Sequence, residues 1–180
     1  KLVVSKRYVK IKSVSKNTRF KNGDKLIKDI INSRHTCYIY NAKGWNDCTT
    51  YEADASSDPK RGSDSTIMFD LNGKIKYETI NPNNGIVSKQ TSNAPVCITL
   101  AHELIHADRI MRGLQIPNNK KSHNKYITGF NRYHSPIYKD EYVPQEELAT
   151  VGLLPKNNND ITENQIRKEH GLWLRGGYFS

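Results

Sequence analysis

His102-Glu103-Leu104-Ile105-His106 is the most informative stretch of this sequence. In an α-helix, residues four apart share a face, so the two imidazoles point the same way with a carboxylate one step round. Neutral imidazole nitrogens are zinc ligands, and a catalytic zinc takes three protein ligands and a water. Zinc lowers the pKa of that water to about 7, so hydroxide is available at neutral pH. Glu103 is placed to take the water's proton and pass it to a leaving amine. The competing reading is a surface helix with two solvated histidines. The flanks oppose it. Pro95 suits a first helical turn after Asn93 or Ser92 as the cap. The stretch Val96-Cys97-Ile98-Thr99-Leu100-Ala101 leads in, Leu104, Ile105, Ile110 and Met111 continue the apolar face, and Gly113 is placed to end the helix. Such a helix is at least half buried, and polar groups within it need partners.

A third ligand is required. His123, His134 and His170 lie downstream, as do Glu146 and Glu147. Residues 144–152 read as a second helix, with Pro144 near the start, two acids in the first turns and Gly152 at the end. A glutamate from a second helix about 40 residues on commonly completes a His-His-Glu site. An acidic pair there would also favour the helix dipole.

With both segments in hand, the chain resembles the NleD-type effector metallopeptidases that pathogenic bacteria inject into host cells. The matching residues are His102 to His106, then Glu146-Glu147-Leu148-Ala149-Thr150-Val151-Gly152-Leu153. Thr162-Glu163-Asn164 with Ile166, Arg167, Glu169 and Gly171 follow, then Arg175-Gly176-Gly177-Tyr178. The first two motifs are also similar to those of clostridial neurotoxin light chains. That similarity implies that Glu147, rather than Glu146, binds zinc, and that Arg175 and Tyr178 stand beside the metal. Donors aimed at the carbonyl oxygen would stabilise its developing charge by about 3–4 kcal/mol each. Otherwise Arg175 is a surface cation and Tyr178 a packing residue. Thr162 reads as the N-cap of a last helix. Glu163, Arg167 and Glu169 would orient His102 or Arg175, or form ion pairs along the helix face. The resemblance implies an α+β, zincin-like fold and one zinc ion. It implies secretion by a type III apparatus into the host cytosol, and a host protein as substrate. Stress-activated MAP kinases, cut at the Thr-x-Tyr site of the activation loop, are the substrate it suggests.

Length and composition fit this picture. At 180 residues the chain reads as one domain, 1–180. The hydrophobic fraction is 36% and mean hydropathy is −0.75, with periodic apolar segments. No apolar run approaches the roughly 18 residues of a transmembrane helix. The start, Lys1-Leu2-Val3-Val4, has no secretory leader, and a natural N-terminal stretch carrying the secretion signal is expected to be missing. Cys37, Cys48 and Cys97 are odd in number and not at metal-ligand spacing. Cys97 is expected to be a buried small hydrophobe, and a Cys-His nucleophile using His35 is disfavoured. Reduced cysteines and no glycosylation sequon suit the cytosol.

The net charge of +10 favours acidic partners: nucleic acid, anionic membrane or an acidic protein surface. Residues 113–142 combine Lys120, Lys121, Lys125 and Arg132 with Tyr126, Phe130, Tyr133 and Tyr138. Lying between the two ligand helices, this segment is expected to border the cleft and touch a protein substrate, with no role for nucleic acid or membrane. A monomer is expected.

The rest is read more coarsely. Residues 8–14 form a strand, and Lys6-Arg7 before Val9 and Ile11 is weakly similar to MAP kinase docking peptides. Asp24 caps a helix over 25–32, residues 37–40 are a strand, and 46–64 are loop. Asn72-Gly73 between 66–71 and 74–80 predicts a β-hairpin, one strand of which would pair with extended substrate. Residues 81–94 connect to the metal helix, and Asn157-Asn158-Asn159 marks a loop. The expected architecture is a small antiparallel sheet on the metal helix, with the second ligand helix behind the zinc. Two rivals are a zinc hydrolase of another substrate class and a binding protein whose structural zinc takes a fourth ligand, His123 or His134.

Overall fold

A helix of sixteen residues, α3 (Val96–Met111), is the axis of the structure. Every residue from Ala101 to Met111 is buried, so the helix is surrounded rather than laid on a surface. The computed structural model describes residues 2–5, 8–11, 20–73, 76–91, 96–155 and 160–178. Ser92, Asn93 and Pro95, the Lys6-Arg7 pair and the asparagine run 157–159 lie outside the described residues.

Along the chain come a hairpin of β1 (Leu2–Ser5) and β2 (Tyr8–Ile11), then α1 (Lys21–Asn32). β3 (Cys37–Asn41), β4 (Asn46–Thr50), the short α2 (Ala53–Ser56) and β5 (Ser65–Phe69) follow. β6 (Lys76–Ile80) pairs with β7 (Val87–Thr91) just before α3. After it come β8 (Lys121–Phe130), β9 (Pro136–Pro144), α4 (Gln145–Val151) and α5 (Glu163–Glu169). The core joins Ile98, Ala101, Leu104, Ile105 and Ala107 of α3 to Leu26 of α1, Ile67 and Phe69 of β5, and Ile161 and Ile166 around α5. Burying such side chains supplies about 1.5–3 kcal/mol each.

Several expectations are corrected. Residues 66–80 do not form a hairpin. β5 is the middle strand of a mixed sheet, ordered β3-β5-β4, parallel to β3 and antiparallel to β4, whereas β6 belongs to another sheet. The segment 46–64 is not all loop, since β4 and α2 lie in it. Residues 81–94 are not merely a connection, because they contain β7. Residues 113–142 are mostly a long antiparallel ribbon, β8–β9, with a register shift between Ile127 and Gly129. Cys97 is exposed, on the solvent side of the first turn of α3.

Two ends are set by local chemistry. Gly113 takes φ 68°, and a Cβ there would stand 1.9 Å from the Asp58 carbonyl oxygen, so α3 stops where only glycine fits. Thr162 caps α5 in a reciprocal box: its side chain accepts from the Gln165 N–H, and the Gln165 side chain accepts from the Thr162 N–H.

Candidate metal centre

α3 puts His102 and His106 on one face, 7% exposed each, and α4 delivers Glu147 opposite them. The three inner atoms form a near-equilateral triangle. His102 Nε2 lies 3.1 Å from His106 Nε2 and 3.1 Å from Glu147 Oε2, and the third side, His106 Nε2 to Glu147 Oε2, is 3.3 Å. Tetrahedral zinc, with arms of about 2.0–2.1 Å, needs ligand atoms about 3.3 Å apart. The donor set therefore fits that ion, and all three residues line one cavity. Among the described residues the group has three members. His123 pairs with Asp140 on the exposed ribbon, His134 sits in its turn, and His170 rests against the Phe20 ring. Neither rival fourth ligand reaches the site.

Each outer imidazole nitrogen has its own support. Nδ1 of His102 is 2.8 Å from Glu163 Oε2. Nδ1 of His106 is 3.3 Å from Glu146 Oε1 and 3.2 Å from Thr150 Oγ1. Such partners hold Nε2 free to bind a metal and fix the ring. They are themselves fixed. Glu146 accepts from Arg109 and from the Ile116 N–H, and Arg109 also donates to Asp160. Glu163, fully buried, accepts from Arg167 and from Arg175, the latter at 3.1 Å. Glu146 thus backs a histidine, while Glu147 meets both inner nitrogens.

The electrostatics follow. Burial works against the Glu163 charge, but Arg175, His102 and Arg167 hold its carboxyl well below the usual range. Burial likewise opposes Glu147 ionisation and is outweighed by the two histidines. Burial would lower His106, yet Glu146 and Glu147 raise it to about 10 in the ion-free protein.

The remaining residues line or back a cavity of about 140 Å³. Its walls are Asn46, Asp47 and Cys48 of β4, Gln115 and Asn118, the metal-site residues, Glu103 and Tyr178. Glu103 is buried, and that burial raises its pKa against the pull of His102 and His106. The Tyr178 ring stacks on that of His102, centroids 6.2 Å apart, and burial followed by the Glu147 charge keeps its phenol protonated. Arg175 stands behind this layer. It is buried, 3.3 Å from Glu78 through one nitrogen, with its guanidinium 4.9 Å from the Tyr178 ring centre. The chain reaches this place because Arg175 bridges Thr79 of β6 and because Gly177 passes close to Tyr126, where a Cβ would stand 2.5 Å from the ring. Glu169 turns away and accepts from Asn22.

Glu78, Arg109 and Asp160 also take part, and Thr150, within the matched motif, supports His106. Asp108 and Arg109 within a buried helix were the available signal, since charges there demand partners.

This α+β fold gathers two imidazoles and a carboxylate at one cavity, a site that could hold a zinc ion. The chain matches the Peptidase_M91 family model, described as an effector protein, over residues 13–178. It belongs to that family of effector metallopeptidases. No curated protein matches it in sequence. Among solved structures it is similar to the botulinum neurotoxin serotype C1 light chain protease, at TM-score 0.45 and 15% identity over 74% of this chain. The zinc-removed apo form of the type C light chain gives TM-score 0.44 and 17% identity over 74% of this chain. The match spans about a third, 32%, of each light chain.

Proposed function

We propose that the protein is a zinc metalloendopeptidase that cuts a host protein after delivery into the host cytosol. The observation that carries this is the triangle of His102, His106 and Glu147 with Glu103 beside it on an open cavity. His102, His106 and Glu147 hold one zinc ion. When bound, that ion supplies a nucleophilic water at neutral pH and polarises the scissile carbonyl. Glu103 takes the water's proton as it attacks and returns it to the leaving amine. Its burial raises its proton affinity toward the working range of a general base. Tyr178 keeps its proton and donates a hydrogen bond to the carbonyl oxygen as charge develops. Arg175, paired with Glu163 and lying over the Tyr178 ring, positions that phenol and steadies the support of His102.

Extended substrate pairs with β4. This strand is an edge of its sheet among the described residues and contributes Asn46, Asp47 and Cys48 to the cavity. Main-chain pairing there supplies affinity, and neighbouring side chains supply choice. This replaces the strands of 66–80 as the pairing edge. The finer reading follows the NleD resemblance: export through type III secretion as a virulence factor, action as a monomer, and cleavage of stress-activated MAP kinases in the activation loop. The test is mass spectrometry of host lysate incubated with wild-type protein and with Glu103→Gln. New peptide termini, including one in a MAP kinase activation loop, are expected with wild type only. Equal cutting by Glu103→Gln would remove Glu103 as the base.

A further inference from the structure

The β8–β9 ribbon is built for something beyond the cavity it adjoins. Its root belongs to the site: Asn124 donates to the Tyr178 carbonyl, and Pro144 is both the last residue of β9 and the N-cap of α4. Beyond Tyr126 it leaves the body of the protein, and no residue from 127 to 142 is buried. Its turn is nevertheless well formed. The Asn131 side chain accepts from the Tyr133 and Ser135 N–H groups, and the Asn131 N–H donates to the Ser135 carbonyl.

Cross-strand partners share a face. His123 with Tyr142, Lys125 with Asp140, and Ile127 with Tyr138 therefore form the outward face. Lys125 Nζ lies 4.6 Å over the Tyr138 ring there. At the turn, Arg132 stacks on Tyr133, which is 69% exposed; Phe130, paired with Pro136, is exposed there, and Ile137 is exposed on the ribbon's other face. Soluble surfaces rarely gather so many large apolar groups, and a two-stranded ribbon free in water is marginal. Aromatic residues interleaved with Arg are the composition of protein interfaces. Residues 120–144 hold five Lys and Arg against two acids, so the complementary surface is acidic. Asp140 and Glu141 within the ribbon oppose a run of phosphates or anionic lipid heads. Continuity with the metal site makes the occupant the substrate itself.

We infer that the outward face and turn of this ribbon form an exosite that docks a folded, acidic, partly apolar surface of the protein substrate, away from the bond that is cut. This rests on the endopeptidase reading. The test uses the full zinc-loaded chain and the double variant Lys125→Glu with Tyr138→Thr, which keeps a strand-forming residue. Both are assayed on native host lysate and on short synthetic peptides spanning each cut found. Docking predicts a fall in kcat/KM of about tenfold or more on the native protein, through KM, with peptide cleavage unchanged. Equal cutting of the native protein by both forms overturns the exosite and leaves the endopeptidase standing. Equal losses on protein and peptide show damage to the site and also overturn it. No cutting by wild type on either substrate ends the endopeptidase reading, and the exosite with it. Unchanged proteolysis with lost retention on anionic vesicles or single-stranded oligonucleotide assigns the ribbon to those partners and overturns substrate docking.

Discussion

The surroundings of α3 and the β8–β9 ribbon are opposites in construction. Around α3, buried ionisable groups hold one another in chains: Glu163 between His102, Arg167 and Arg175, and Glu146 between His106 and Arg109. On the ribbon, exposed charges and rings pair with one another: His123 with Asp140, Lys125 with Tyr138 and Arg132 with Tyr133. The difference teaches where precision is needed. A metal site must hold its ligand atoms within fractions of an ångström, so its supports are buried and redundant. A docking face needs only shape and charge.

The comparison breaks most sharply at Glu103. Glu103→Gln should lower kcat by about 10²–10⁴-fold while zinc content, read by metal analysis, stays at one ion per chain. A loss of zinc would instead make Glu103 part of the metal's support. Next is Glu163→Gln, which leaves Arg167 and Arg175 buried with less counter-charge and weakens the hold on His102. Stability in urea should fall by about 3–5 kcal/mol, and zinc affinity by about 10–100-fold in a chelator competition.

Removing the metal should come third. Free zinc at a thousandfold its Kd stabilises by about 4 kcal/mol, so chelation should lower Tm by roughly 10 °C. The ion-free protein should also respond to pH in a set direction. His106 is raised to about 10 from an ordinary value near 6.5. Its contribution is then complete below the ordinary value and is lost as pH climbs toward about 10. Zinc needs the neutral imidazole, so the loaded protein should not show that alkaline loss; thermal melts across pH with and without chelator check it. The smallest effect belongs to the ribbon. Tyr133→Ser should change stability by less than about 0.5 kcal/mol, and a larger loss would mean that the ribbon packs on something in the folded chain.

What the sequence disclosed, and what it hid, follows the same divide. His102 to His106, the helix carrying Glu147 and the Thr162 cap depend on neighbours within a turn or two, and local spacing reveals them. Pairing is another matter. Thr66 to Phe69 alternate well and Asn72-Gly73 does turn the chain, but β5 is claimed by β3, itself legible as a strand at 37–40, and by β4, whose polar residues give little sign of one. Asn46-Asp47-Cys48-Thr49-Thr50 is an edge beside a polar cavity, so it lacks an apolar rhythm. The ribbon lacks one because most of it buries neither face. The likeness to the light chains implies a part for Arg175 and Tyr178 together, whereas the pairing of Arg175 with Glu78, 97 residues earlier, has no local signal.

The order of the chain has a consequence for synthesis. A polypeptide that has emerged only through α4 already owns His102, His106 and Glu147, the three proposed metal donors. It still lacks Glu163, which steadies His102, and the Arg175–Tyr178 segment that completes the cavity wall. The proposed site is therefore assembled from the middle of the sequence and from a later stretch, and it would be complete only when residues beyond 160 fold back onto α3.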